Sequence, residues 1–136
     1  MSAGNNLELA RQGMDAWNRR DVDAMLEMSS PDLEFLPAIA VGVEGGGSIR
    51  GEEDFRRFFA GLTETWETFV IEAAELRDLG DHVLAVGRVR AKGRASGVEL
   101  DEPIAAVIWL RDGRLQRMHT FLDHEAAVAA AGEQVS

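Results

Sequence analysis

The chain has 136 residues, 46% of them apolar and 28% charged, with a formal net charge of −10. That length suits one folded unit with a sizeable core, and the acidic balance argues against nucleic-acid backbones and anionic membranes, which need basic patches. The absence of cysteine excludes a disulfide framework and a thiolate zinc site.

The opening residues, Met-Ser-Ala-Gly-Asn-Asn, lack the basic and apolar regions of a secretory signal. No apolar run approaches the ~20 residues that span a bilayer. A cytoplasmic protein is the expectation. Leu7, Ala10, Met14 and Trp17 recur at helical spacing and predict an amphipathic helix over about 6–19. Asp21 can cap a short second helix carrying Val22, Met25, Leu26 and Met28. Ser29-Ser30-Pro31-Asp32 ends it, because proline restricts the residue before it to extended angles. Leu33–Leu36 reads as a short strand. Residues 38–50 contain Gly42 and Gly45-Gly46-Gly47 and read as a loop at a pocket rim. A phosphate loop is disfavoured, since no lysine-serine pair follows the glycines and no buried strand leads into them.

Glu52, Glu53 and Asp54 place negative charge where a helix start favours it. Phe55, Phe58, Phe59, Leu62 and Trp66 then share one wide aromatic face. Phe69–Leu76 reads as a strand, and Gly80-Asp81 turns the chain. In the next strand, Val83–Ala91, residues Ala85, Gly87 and Val89 take one face and Val86, Arg88 and Arg90 the other. Gly93 and Gly97 mark a hairpin, and Pro103 suggests an edge or bulge. Two apolar runs, Ile104–Leu110 and Leu115–Leu122, flank Arg111-Asp112-Gly113-Arg114. Asp-Gly supplies the positive backbone angles of a tight hairpin, so these are two long antiparallel strands at the centre of a sheet. Asp123 can cap a last helix, His124–Ala131, closed by Gly132. Helices gathered ahead of antiparallel strands make an α+β fold: a strongly curved sheet around one long helix, leaving a cone with an apolar interior.

Several short motifs, in this order and spacing, resemble the SnoaL-like (polyketide cyclase-like) branch of the nuclear transport factor 2-like superfamily. They are Ala16-Trp17-Asn18-Arg19-Arg20-Asp21, Pro31-Asp32-Leu33-Glu34-Phe35 and Arg50-Gly51-Glu52-Glu53-Asp54-Phe55. Gly93–Val98, Arg111–Leu115 and Phe121–Ala127 complete the set. The resemblance covers nearly the whole chain and implies a single SnoaL-like domain over 1–136, of nuclear transport factor 2-like (cystatin-like) architecture. It places a pocket between the helices and the concave sheet face, with Trp17, Phe35, Phe59, Trp66, Trp109, Met118 and Thr120 expected to line it. Such a pocket suits a flat or cyclic, mostly apolar ligand.

The superfamily holds cyclases, isomerases, hydrolases and members that only bind or dimerise, so fold does not settle function. The catalytic positions of the steroid-isomerase relatives fall at about Pro37, Gly13 and Val107, none of which moves a proton. The epoxide-hydrolase relatives set an arginine between two carboxylates. Arg88 and Arg90 occupy a comparable strand without a carboxylate on it, and their parity suits the outer face. The remaining acid/base candidates are Asp123, His119 and Glu34. Each has a plainer reading: a helix cap, an outward histidine and a solvated edge residue. His82, His119 and His124 fall on separate elements, so no metal and no cofactor is expected. Two functions stand side by side. One is a small-molecule pocket protein, with cofactor-independent cyclase, isomerase or hydrolase activity as its catalytic form. The other is a non-catalytic module that forms a homodimer through the outer sheet face and binds a ligand or partner.

Overall fold

The Asp112-Gly113 turn is formed as its residues require: φ is +54° at Asp112 and +75° at Gly113, the paired positive angles of a tight hairpin. In the computed structural model, which describes residues 3–37, 49–122, 124, 125 and 127, this turn joins β5 (Glu99–Arg111) to β6 (Arg114–Phe121). Ahead of them run α1 (Ala3–Asn18), α2 (Val22–Glu27), β1 (Ser29–Leu36), β2 (Ile49–Arg50), α3 (Gly51–Thr65), β3 (Trp66–Asp78) and β4 (His82–Gly93). The fold is α+β, with one curved sheet ordered β2-β1-β6-β5-β4-β3.

Local chemistry explains most boundaries. Asp21 caps α2 by accepting from the Ala24 N–H at 3.1 Å. Gly51, at φ +80°, opens α3, and Glu52, Glu53 and Asp54 fill its first turn. Pro103 lies on β5 beyond the reach of β6, whose pairing stops at Ala105. A residue without an N–H is tolerated there because that side of the strand has no ladder to feed.

Three features depart from the sequence reading. The third helix stops at Thr65, so Trp66 begins β3 and is not part of the helical face. Strand β1 starts at Ser29, with Pro31 inside a register shift between Ser29 and Glu34. Finally, β1 pairs with β6 in parallel, while all other strand pairs are antiparallel.

A bulge between Ala73 and Glu75 bends β3 against β4. Gly87 makes this possible: a Cβ there would lie 1.9 Å from the carbonyl oxygen of Glu72. The sheet thereby curls around α1 and α3. The main core lies between them, with Phe55, Phe58, Phe59 and Leu62 of α3 against Trp17, Leu33, Phe35 and Phe69. Leu84, Ala105 and Val107 form a smaller cluster on the outer sheet face, together with Ala127. The last-helix expectation over His124–Ala131 is described only at His124, Glu125 and Ala127, which have helical backbone. Of the loop expected over 38–50, residues 49 and 50 form β2 instead, and the rest, like the capping role of Asp123, lies outside the described residues. Among the described residues, no helix is long and apolar enough to cross a membrane.

Candidate functional site: an apolar cavity under the curved sheet

The concave side of the sheet leaves a partly open cavity of about 70 Å³. Large side chains make one wall: Trp17 of α1, Phe35 of β1, Phe58 and Leu62 of α3, and Phe69 of β3. Small ones make the floor. Ala85, Ala106 and Thr120 are cross-strand partners in one row over β4, β5 and β6, and all three border the cavity. Partners in an antiparallel ladder share a face, so this row is a shallow trough where longer side chains would fill the hollow.

Of the residues expected to line a pocket, Trp17, Phe35, Met118 and Thr120 border the cavity. Phe59 does not; it is buried behind the wall, edge-on to Trp17 at 4.9 Å and to Phe55 at 5.5 Å. Trp66, half-buried, meets Phe69 at 5.8 Å from the start of β3.

Trp109 lies on the opposite face of the sheet. The cause is a bulge between Trp109 and Leu110. Leu110 pairs with Leu115, but Trp109 then pairs with Arg117 and Ile108 with Met118. The extra residue, Gln116, shifts the parity by one and sends Trp109 outward, since side chains alternate along a strand. Outside, the Arg117 guanidinium sits 4.9 Å from the Trp109 ring centroid, and the His82 ring stacks on Trp109 with its centroid 5.9 Å away.

The two described acid/base candidates, Glu34 and His119, do not border the cavity. Glu34 is on the outer face, 3.1 Å from Arg50 Nη2 and 3.4 Å from Arg117 Nε. His119 pairs with Val107 on that same face and stacks on Phe121 at 4.1 Å. Burial, reinforced by Arg117 and opposed by Glu34, pushes its pKa below the ordinary histidine value. Asp123 is outside the described residues. Arg88 and Arg90 also face outward. Carboxylates from neighbouring strands do accompany them: Asp101 is 2.8 Å from Arg88 Nε, and Glu72 is 3.7 Å from Arg90 Nε. All four are exposed, and none borders the cavity.

Gly13 and Pro37 border the cavity, whereas Val107 belongs to the outer cluster. The cavity-facing neighbours of Val107 are Ala106 and Ile108, and neither has a proton to move. The whole described wall lacks an ionisable side chain. Among the described residues, no group of three or more histidines and carboxylates could hold a metal ion.

Sequence reasoning missed Phe58 and Phe69 as wall residues because core packing and cavity lining leave the same apolar pattern. It missed the Ala85 and Ala106 floor because alanine carries no signal of its own.

The SnoaL-like domain model matches residues 10–118. No curated protein is similar enough to count as a match. Many solved structures share the fold. One is a putative SnoaL-like polyketide cyclase from Jannaschia sp. CCS1, at 21% identity, with 96% of this chain and 93% of that chain covered and a TM-score of 0.75. Another is TerC co-crystallised with polyporic acid, at 22% identity, 97% and 99% coverage and a TM-score of 0.76. A third is an NTF2-like protein from Burkholderia thailandensis E264, at 26% identity, 93% and 95% coverage and a TM-score of 0.73. With the family model matched over most of its length, the chain belongs to the SnoaL-like domain family.

Proposed function

We propose that this chain is a small-molecule pocket protein that takes an uncharged apolar or cyclic ligand between α1, α3 and the concave sheet face. One observation carries this reading: the described wall of the cavity is aromatic and aliphatic and holds no ionisable side chain, and at about 70 Å³ the hollow must widen to take a ring. A charged guest would lose its hydration there without gaining a partner, at a cost far above that of an apolar one. The co-crystallisation of TerC with polyporic acid lends support from a protein of the same fold. Cyclase, isomerase or hydrolase chemistry at this wall would act by holding a ligand in a reactive shape, because the described part of the wall supplies no acid or base of its own.

The homodimer reading through the outer face has less behind it. Leu84 and Val107 of that face are fully buried within the single chain, in a cluster that includes Ala127. The reading of a pocket protein is tested by native mass spectrometry and thermal-shift assays against small one-ring compounds, neutral and charged. Neutral rings should bind and raise Tm, since a ligand that binds only the folded state stabilises it. A protein that ignores every neutral ring, or prefers the charged ones, would overturn the proposal.

A further inference from the structure

We infer that the indole N–H of Trp17 is the group that orients the ligand, and that the pocket selects a neutral ring carrying a hydrogen-bond acceptor, such as a cyclic ketone or lactone. This deepens the pocket reading above and rests on it. Trp17 borders the cavity and is only 7% exposed, yet its Nε1 has no hydrogen-bond partner. Phenyl rings stand around the indole: Phe59 at 4.9 Å, Phe35 at 5.8 Å, Phe69 at 6.0 Å and Phe58 at 6.3 Å between centroids. A buried tryptophan ordinarily finds a partner for this atom, because an unpaired N–H loses its hydration without return. Phenylalanine at this position would pack among the same rings without that cost.

The donor is in place before a guest arrives. The neighbouring Asn18 is tied to Ile71 on β3, which holds this end of α1 against the sheet. Phe35, Phe58 and Phe69 border the cavity as Trp17 does. A ring that widens the hollow parts these side chains from the indole and comes up against its edge. Indole Nε1–H donates and cannot accept, so the matching group on the guest is an acceptor. A ketone or lactone oxygen is satisfied by one donor and brings no proton that needs a partner in turn; an alcohol brings one. A carboxylate accepts as well, but its charge has nothing to offset it on the described wall.

The rival explanation is an N–H resting on the face of a phenyl ring, the nearest being Phe59 at an interplanar angle of 62°. That contact needs no guest. The test uses cyclohexanone and methylenecyclohexane, which share a shape and differ by a carbonyl oxygen against a methylene carbon. Each is titrated into the isotope-labelled full chain, and NMR follows the indole N–H signals of the three tryptophans, assigned through Trp66→Phe and Trp109→Phe. Cyclohexanone should move the Trp17 proton downfield, as a new hydrogen bond does, and methylenecyclohexane should not. In Trp17→Phe, affinity for cyclohexanone relative to methylenecyclohexane should fall about tenfold, the equivalent of one hydrogen bond. The wild-type signal decides the matter even where that variant does not fold. If methylenecyclohexane binds and the Trp17 proton responds to both compounds alike, or not at all to the ketone, the assignment to Trp17 is wrong although the pocket stands. If neither compound binds, the pocket reading fails and takes this one with it.

Discussion

Asn18, the last residue of α1, bonds to both backbone groups of Ile71 on β3: its Nδ2 donates to the Ile71 carbonyl oxygen at 3.0 Å, and its Oδ1 accepts from the Ile71 N–H at 2.9 Å. The amide thus stands in for a further strand on the free edge of β3. Because Trp17 precedes Asn18 and both Trp17 and Ile71 line the cavity, this clamp sets the distance between helix wall and sheet floor.

Asn18→Ala should therefore cost about 1–3 kcal/mol, the range for two lost hydrogen bonds with partly buried groups left unpaired. Urea denaturation with an unchanged m-value checks it. A loss below a few tenths of a kcal/mol would mean that water replaces the clamp without penalty.

Gly87 and Gly13 give opposite predictions from the same substitution. A Cβ on Gly87 would meet the Glu72 carbonyl oxygen at 1.9 Å and the Ala73 Cα at 2.9 Å. Both are backbone atoms of the bulge and cannot step aside. Gly87→Ala should destabilise by about 3 kcal/mol or more, at the upper end of overpacking costs. A Cβ on Gly13 would meet Leu115 Cδ1 at 3.5 Å and Met28 Sδ at 3.8 Å, which are ordinary contacts. Because Gly13 lies inside α1, Gly13→Ala should stabilise by roughly 0.5–1 kcal/mol and narrow the cavity. Thermal denaturation of the two variants decides both.

Much of the architecture was legible in the residues. The Asp112-Gly113 turn, the Asp21 cap and the aromatic face of α3 each follow from local chemistry that tertiary packing did not override. The parallel pairing of β1 with β6 left no local trace, since no turn joins them. Trp109 was misplaced for a definable reason: simple alternation from the hairpin puts it with Met118 and Thr120, and one bulge residue, Gln116, reverses that face. A bulge has no strong sequence mark, so every parity argument beyond it inherits the error. The cavity itself was legible only as apolar composition. Which apolar side chains stop short of filling space depends on the curl of the sheet at Gly87.

The outward position of Trp109 separates the tryptophans experimentally. Trp109→Phe should leave binding of a neutral ring unchanged, whereas Trp17→Ala removes a buried wall residue and should cost about 3–5 kcal/mol in stability. Equal effects of the two substitutions on binding would contradict the register drawn for β5 and β6.

His119 makes stability depend on pH in a defined direction. Its folded pKa is lowered from 6.5 by burial, with Arg117 adding to the effect and Glu34 opposing it. The unfolded chain then binds this proton more readily than the folded one. Stability is fully present above about pH 6.5 and declines as the pH falls from there through the lowered folded value. Urea midpoints between pH 7.5 and 5 should show this slope, and His119→Gln should flatten it. An unaltered slope would place the titration elsewhere.

The central claim is that an uncharged hollow beside Trp17 admits a neutral ring. The most direct measurement is fluorescence of a Trp66→Phe, Trp109→Phe double variant, which leaves Trp17 as the sole indole, titrated with p-xylene and with benzoate. Saturable change with p-xylene and none with benzoate is the predicted result. A flat response to p-xylene, or benzoate binding as well as the hydrocarbon, would contradict it.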